Sequence, residues 1–174
     1  MQVRHALVVF ALASLLVIPV TSASGSGSPV ASANGSAHWT IPLPNAFGGV
    51  VENRTLSFTA RKYDDGSVAG RFEYQQVFEG DTFKFNVDVT CMNVYDGNRA
   101  KIGGVVMVSS DPTLPAGVFA WFSVFDNGEG PNALPDRSSL VGFGDAAANQ
   151  AFCNSPNLPR FGPWDVQGNV QVLG

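Results

Sequence analysis

Charge is what this chain has least of. Lys, Arg, Asp and Glu make up 14% of its 174 residues, against roughly a quarter in an average globular protein. The balance is acidic, with a net charge of −4. Arg4 is the only one of these residues among the first 23, so beyond them 14 acidic residues face 9 basic ones, a net −5. Such a surface excludes general affinity for nucleic acid, whose phosphates select basic patches. It equally excludes electrostatic docking on anionic lipid. Histidine is scarcer still, with two in the chain, His5 and His38. One imidazole beyond the N-terminal segment cannot build a histidine-rich zinc or iron site. A Ser-His-Asp triad would have to use His38, and no nucleophile elbow lies near it. His38, beside Trp39, reads instead as a surface or strand-end residue. A phosphate-binding glycine loop is also missing: the Gly-Ser-Gly-Ser at residues 25–28 has no strand before it and no helix after it.

The long apolar run is confined to the N-terminus. Arg4 and His5 precede residues 6–20, which are apolar apart from Ser14, and Thr21, Ser22 and Ala23 supply small residues after it. That three-part pattern is a secretory signal peptide, expected over residues 1–23. The run is shorter than the ~20 apolar residues of a membrane-spanning helix. Cleavage therefore leaves a secreted, extracellular chain with no membrane span. Ala31-Ser32-Ala33 is a second cleavage motif. Residues 24–37 are small, polar and glycine-rich, and are expected to form a flexible leader. Asn34-Gly35-Ser36 and Asn53-Arg54-Thr55 carry the N-glycosylation pattern.

From residue 38 onward the hydrophobic period is two, as a single all-β domain over 38–174 requires. Leu56, Phe58 and Ala60 alternate with Ser57 and Thr59; Val68, Gly70, Phe72 and Tyr74 with Arg71 and Glu73. Phe83, Phe85, Val87, Val89 and Cys91 alternate with Lys84, Asn86, Asp88 and Thr90, which puts Cys91 on the inward face. Asp65-Gly66, Gly80-Asp81 and Asp96-Gly97 are turn signals between the runs. Residues 118–125 are apolar on both faces, so something must cover the second one. One short helical turn is expected near 146–152. About eight strands joined by tight turns pair antiparallel, and must close as a β-barrel or fold over as a β-sandwich to hide their edges.

Cys91 and Cys153 are the only cysteines. In an oxidising compartment an even count predicts a disulfide. It would close a loop of about 60 residues, contribute about 4 kcal/mol in the chain-entropy account, and remove the only sulfur nucleophiles. The richest polar segment is the loop holding Asp126, Asn127, Glu129 and Asp136. Asp126, Glu129 and Asp136 offer carboxylate oxygens of the kind calcium takes. The other reading is a long hairpin connection in which Asp, Asn, Gly and Pro serve turn geometry, with Arg137 paired to Asp126 or Glu129. No other cofactor is implied.

Several stretches occur together in order: Phe58-x-Ala60-Arg61, Gly66-x-Val68-x-Gly70-x-Phe72-x-Tyr74, Val87-x-Val89-Thr90-Cys91, Ile102-Gly103-Gly104, Asp126-Asn127-Gly128-Glu129 and Gly168-Asn169-Val170-Gln171-Val172. In these the chain resembles exported bacterial β proteins of unassigned role, and is similar in layout to the post-COAP domains of bacterial surface and matrix proteins. The resemblance spans about residues 46–174. It implies a compact antiparallel β domain outside the cell and transfers no catalytic residue. The expected function is a non-catalytic extracellular binding or surface- and matrix-associated module, with a glycan or matrix component as partner. Trp39, Tyr95, Trp121 and Trp164 are the aromatics able to stack on sugar rings or apolar ligands, unless the core takes them. The alternative is a small barrel enzyme or carrier (a cyclase, isomerase or lipocalin-like protein) that acts on an apolar ligand through carboxylates such as Glu73 or Asp88. A third reading is a coat component that self-associates through an open edge strand.

Overall fold

The computed structural model describes residues 27–42, 51–159 and 162–174. The signal segment and residues 24–26 of the expected leader lie outside them. The described residues form ten strands and one helix: β1 (Pro29–Pro42), β2 (Val51–Tyr63), β3 (Val68–Phe78), β4 (Asp81–Tyr95), β5 (Arg99–Ser109), β6 (Phe119–Phe125), β7 (Arg137–Ser138), β8 (Gly142–Gly144), α1 (Ala146–Asn154), β9 (Trp164–Asp165) and β10 (Gln167–Leu173). All pair antiparallel in the order β10-β1-β2-β3-β4-β5-β6-β7-β9, with β8 also on β6. A single residue, Val166, separates β9 from β10. The last stretch of chain thus pairs first with β7 and then with β1, and the sheet is nearly closed into a barrel. That closure decides for the barrel over the sandwich.

The turns form where their chemistry demands. β3 and β4 are joined by Glu79 and Gly80, both at positive φ (51° and 91°). This is the backbone that matches the twist of a two-residue hairpin. Inside the barrel, alternation brings Phe58, Phe72 and Phe122 together. Ring centroids lie 5.3 Å apart for Phe58–Phe122 and 4.9 Å for Phe72–Phe122, both edge-to-face. Leu56, Val87, Ile102, Val106, Val124 and Val170 fill the space around them. The middle of the barrel is therefore packed with side chains, as interiors of this strand number are.

Two expectations fail here. Residues 29–37 are not a leader: they are the first two-thirds of β1, bonded to β2 on one side and β10 on the other. Their small residues mislead. Ala33 and Ala37 are fully buried, in phase with Trp39 at 3% exposure, so the segment alternates like the others but with little volume per site. Cys91 does not face the core either. β4 carries a bulge at Thr90, since Val89 pairs with Gly104 and Cys91 with Gly103. The extra residue shifts the phase, so Met92 enters the core and Cys91 turns out toward α1.

The helix lies on the outside of β4, β5 and β6. Asp145 caps it, accepting from Ala148 N at 2.8 Å. The disulfide Cys91–Cys153 pins it to β4. Gly103 admits it, because a Cβ there would stand 2.0 Å from Asn149 Oδ1. The second apolar face of β6 is thus covered by this helix and the chain after it: Trp121 stacks on Phe152 at 5.8 Å. No helix among the described residues is long and apolar enough to cross a membrane.

A candidate binding pocket at the barrel mouth

The loop singled out for calcium does a different job. It sits where β10 faces the ends of β6 and β7, a seam of the barrel with no strand pairing among the described residues. Asp136 Oδ2 accepts from Val170 N at 2.7 Å, and Oδ1 from Asn127 N at 2.9 Å. Asp126 Oδ2 accepts from Val172 N at 3.0 Å, and Oδ1 from Gly128 N at 2.8 Å. The backbone adds Val166 N to Asp136 O at 2.9 Å. Two carboxylates therefore take the place of a missing strand along β10, and their four oxygens are directed at N–H donors. Asn127 donates through Nδ2 to Pro135 O at 2.5 Å, closing the loop on itself. Glu129 is exposed and is not brought to the two aspartates. Arg137 pairs with neither expected carboxylate; its Nε lies 3.4 Å from Asp165 Oδ1. Among the described residues no three His, Cys, Asp or Glu side chains are grouped to hold a metal ion.

The carboxylates suggested for a barrel enzyme also lie elsewhere. Glu73 and Asp88 face outward, in a shallow groove of about 870 Å3 across the outer surfaces of β1 to β5. There Asp88 pairs with the exposed Arg71 at 3.0 Å. His38 is exposed on β1, with Nδ1 3.2 Å from Thr55 Oγ1. Of the aromatics, Trp39 is in the core. Trp121 and Trp164 are half-buried, and Tyr95 donates its hydroxyl to Cys153 O. None of the four stands out as an exposed platform.

The concavity with the makings of a ligand site opens at one end of the barrel and measures about 520 Å3. The inward residues of β3 and β4 give it a floor: Tyr74 and Phe85, 5.2 Å between centroids. Phe143 of β8 closes one side, 5.5 Å from Phe85. Leu114 and Val118 come from the 110–118 loop. Asp111 fixes that loop by accepting from Thr113 N and Thr113 Oγ1 at 2.8 and 2.7 Å, and Gly117 N bonds back to Val106 O at 2.9 Å. The pocket is thus preformed, apolar, and edged by a few polar groups, among them Gln76 and Thr113.

Behind Tyr74 lies a polar cluster that no sequence motif marks. Glu52 and Arg54 of β2 point inward and pair at 2.6 Å, their side chains only 5% and 13% exposed. The Arg54 guanidinium lies 6.0 Å from the Tyr74 ring centre. Trp39 Nε1 and Arg54 Nε are buried without a hydrogen-bond partner among the described residues. Burial pushes the Tyr74 phenol well above its usual value, an effect the Arg54 charge opposes and the Glu52 charge reinforces. Tyr74 stays a neutral O–H donor at any ordinary pH. The signal was in the sequence: counted back in twos from Ala60, Phe58 and Leu56, the next inward positions are Arg54 and Glu52.

Compared with known protein families, curated proteins and solved structures, the chain matches none at a significant level.

Proposed function

We propose that this chain is an exported, non-catalytic binding module that takes a small neutral aromatic or apolar ligand in the mouth of its barrel. The observation that carries the reading is the preformed pocket of about 520 Å3 floored by Tyr74 and Phe85 and walled by Leu114, Val118 and Phe143. Ligand sites of small molecules have this size and this mostly apolar lining with few polar groups. The disulfide fits the oxidising compartment that a signal peptide implies. Cleavage at the second motif, after Ala33, would cut through β1, so processing before Pro29 goes with an intact barrel. The outer groove favours a glycan less, because the two aromatic residues in its lining, Phe58 and Phe72, bury their rings in the core and offer none for stacking.

The test is a titration with the neutral fluorophore N-phenyl-1-naphthylamine, on the native chain and on Leu114→Trp, which fills the pocket. The reading requires saturable binding to the native protein and its loss in a variant whose melting temperature is retained. No saturation up to the solubility limit of the dye, or equal binding to both proteins, refutes it.

A further inference from the structure

A second site lies on the outside of the barrel, under the helix, and shares only Phe143 with the mouth. Lys101 of β5 is 2% exposed. It faces the same way as Gly103 and Trp121, into a pocket of about 530 Å3 that it lines with Trp121, Phe152, Leu140, Val141 and Leu158. Its Nζ lies 4.5 Å from the Phe152 ring centre. All 14 Asp and Glu residues of the chain fall within the described segments. The ion pairs among the described residues use Arg54, Arg71, Arg99 and Arg137, and none includes Lys101. The neighbouring Arg99, 5% exposed, does have polar partners: its Nη2 bonds Pro156 O at 2.6 Å and Asp96 at 3.2 Å. The residue opposite Lys101 in the β5–β6 register is Ser123, whose buried hydroxyl has no partner among the described residues. A buried charge without a counter-charge is costly, and folded chains seldom keep one without a partner.

We propose that this pocket binds a small aryl carboxylate, with the carboxylate against Lys101 Nζ and the ring held against the Trp121–Phe152 stack. The charge of the ligand follows from the unpaired cation. Its aryl group follows from the apolar walls, in which Trp121 and Phe152 are stacked 5.8 Å apart with their planes 28° from parallel. Gly142 leaves room for this arrangement, because any Cβ there would meet the Trp121 indole at 2.4 Å. Burial, helped by the charge of Arg99, holds the Lys101 ammonium below its usual value. A bound carboxylate relieves both effects, and a charge-assisted hydrogen bond in a desolvated site is among the strong polar contacts.

The probes are 2-naphthoate and its neutral isostere 2-naphthamide, titrated calorimetrically and by amide chemical shifts, on the native chain and on Lys101→Met. Methionine keeps the stem that packs on Phe152 and removes only the charge. The expected result has three parts. Naphthoate binds the native protein roughly tenfold or more tighter than naphthamide. Lys101→Met abolishes that difference while leaving the amide's affinity unchanged. Shifts centre on Gly142 and Phe152 and not on Leu114. Equal affinities for the two probes on the native chain overturn the proposal, as does a naphthoate affinity unchanged in Lys101→Met. Shifts centred on Leu114, or no binding of either probe, overturn it too. A melting temperature for Lys101→Met at or above that of the native protein shows that any loss is not unfolding. Because the mouth is tested with a neutral dye and a different variant, either site can fail without the other.

Discussion

Asp136→Asn strikes the barrel at its seam, and its cost follows from two hydrogen bonds. The Asp136 side chain is held at 2.7 Å by Val170 N and at 2.9 Å by Asn127 N. Val170 is fully buried and Asp136 is 9% exposed, so water cannot replace what is lost. Asparagine keeps one acceptor and turns an NH2 toward the other N–H. That removes one charge-assisted bond and strands a buried donor, about 2–3 kcal/mol in all. Asp136→Ala strands both donors and costs about 4 kcal/mol, a large part of the 5–15 kcal/mol that holds a typical domain folded. Glu129→Gln, at an exposed position of the same loop, changes stability by less than about 0.5 kcal/mol. Urea unfolding reads the midpoints, with an unchanged slope showing that the unfolded state is not altered. Amide exchange at Val170 reads the seam itself, and its protection falls in Asp136→Asn before that of Val106 in the far wall. Millimolar calcium leaves the native melting temperature unmoved, because the oxygens it needs already accept from the backbone. An Asp136→Asn protein within about 0.5 kcal/mol of native with Val170 still protected would show that the aspartates do not close the barrel.

Three other outcomes follow from the buried charges and the disulfide. Between the lowered folded-state pKa of Lys101 and its ordinary 10.5 the unfolded chain holds a proton that the folded chain has released, so stability rises with pH through that window. Above 10.0 the sign reverses for Tyr74, which keeps its proton when folded while the unfolded phenol ionises, so stability falls. Thermal melts across the alkaline range should show the rise flattened in Lys101→Met and the fall removed in Tyr74→Phe. Glu52→Gln leaves Arg54 charged and buried without its partner and costs about 3–5 kcal/mol. The double variant Glu52→Gln/Arg54→Met recovers most of this in denaturant titrations, and a double variant as unstable as the single one would sink the ion-pair account. Cys153→Ser costs about 3–4 kcal/mol and raises amide exchange in α1 first, since Cys153 sits in the helix and Cys91 in the wall beneath it.

Most strands were legible because each carries its own period-two pattern and ends at an Asp-Gly or Glu-Gly signal. β1 was not, because Ala33 and Ala37 bury fully while reading as linker composition. Only the identity of their neighbours, β2 and β10, reveals the strand. The face of Cys91 was misread for the opposite reason. Strict alternation carries no sign of the extra residue at Thr90, whose bulge lies opposite Gly103 and Gly104 in the partner strand. Of the site, Tyr74, Phe85 and the inward turn of Glu52 and Arg54 follow from counting in twos. The 110–118 loop, β8 and the helix have no period to count, and it is they that make concavities out of a packed barrel. The composition of the aspartate loop shows its carboxylates but not their partners, which are backbone N–H groups 34 and 46 residues further along that no local pattern encodes.

Phe143 links the two pockets, and one substitution there separates the arguments for them. Its side chain lies on the Phe85 side of the wall, yet β8 borders the mouth on one face and the Lys101 pocket on the other. β8 is only three residues long and pairs with β6 alone, through Phe119, Ala120 and Trp121. Phe143 itself is 46% exposed, so Phe143→Ala removes a wall of both concavities without opening a large cavity in the core. The Phe58, Phe72 and Phe122 cluster stays intact between the mouth and the opposite end of the barrel. The substitution should therefore weaken the neutral dye at the mouth and naphthoate at Lys101 together, at a stability cost of about 1 kcal/mol. Leu114→Trp should affect the first ligand only, and Lys101→Met the second only. If Leu114→Trp also abolished naphthoate binding, the two pockets would have to be one continuous site, and the wall formed by β6 and β8 would not divide them.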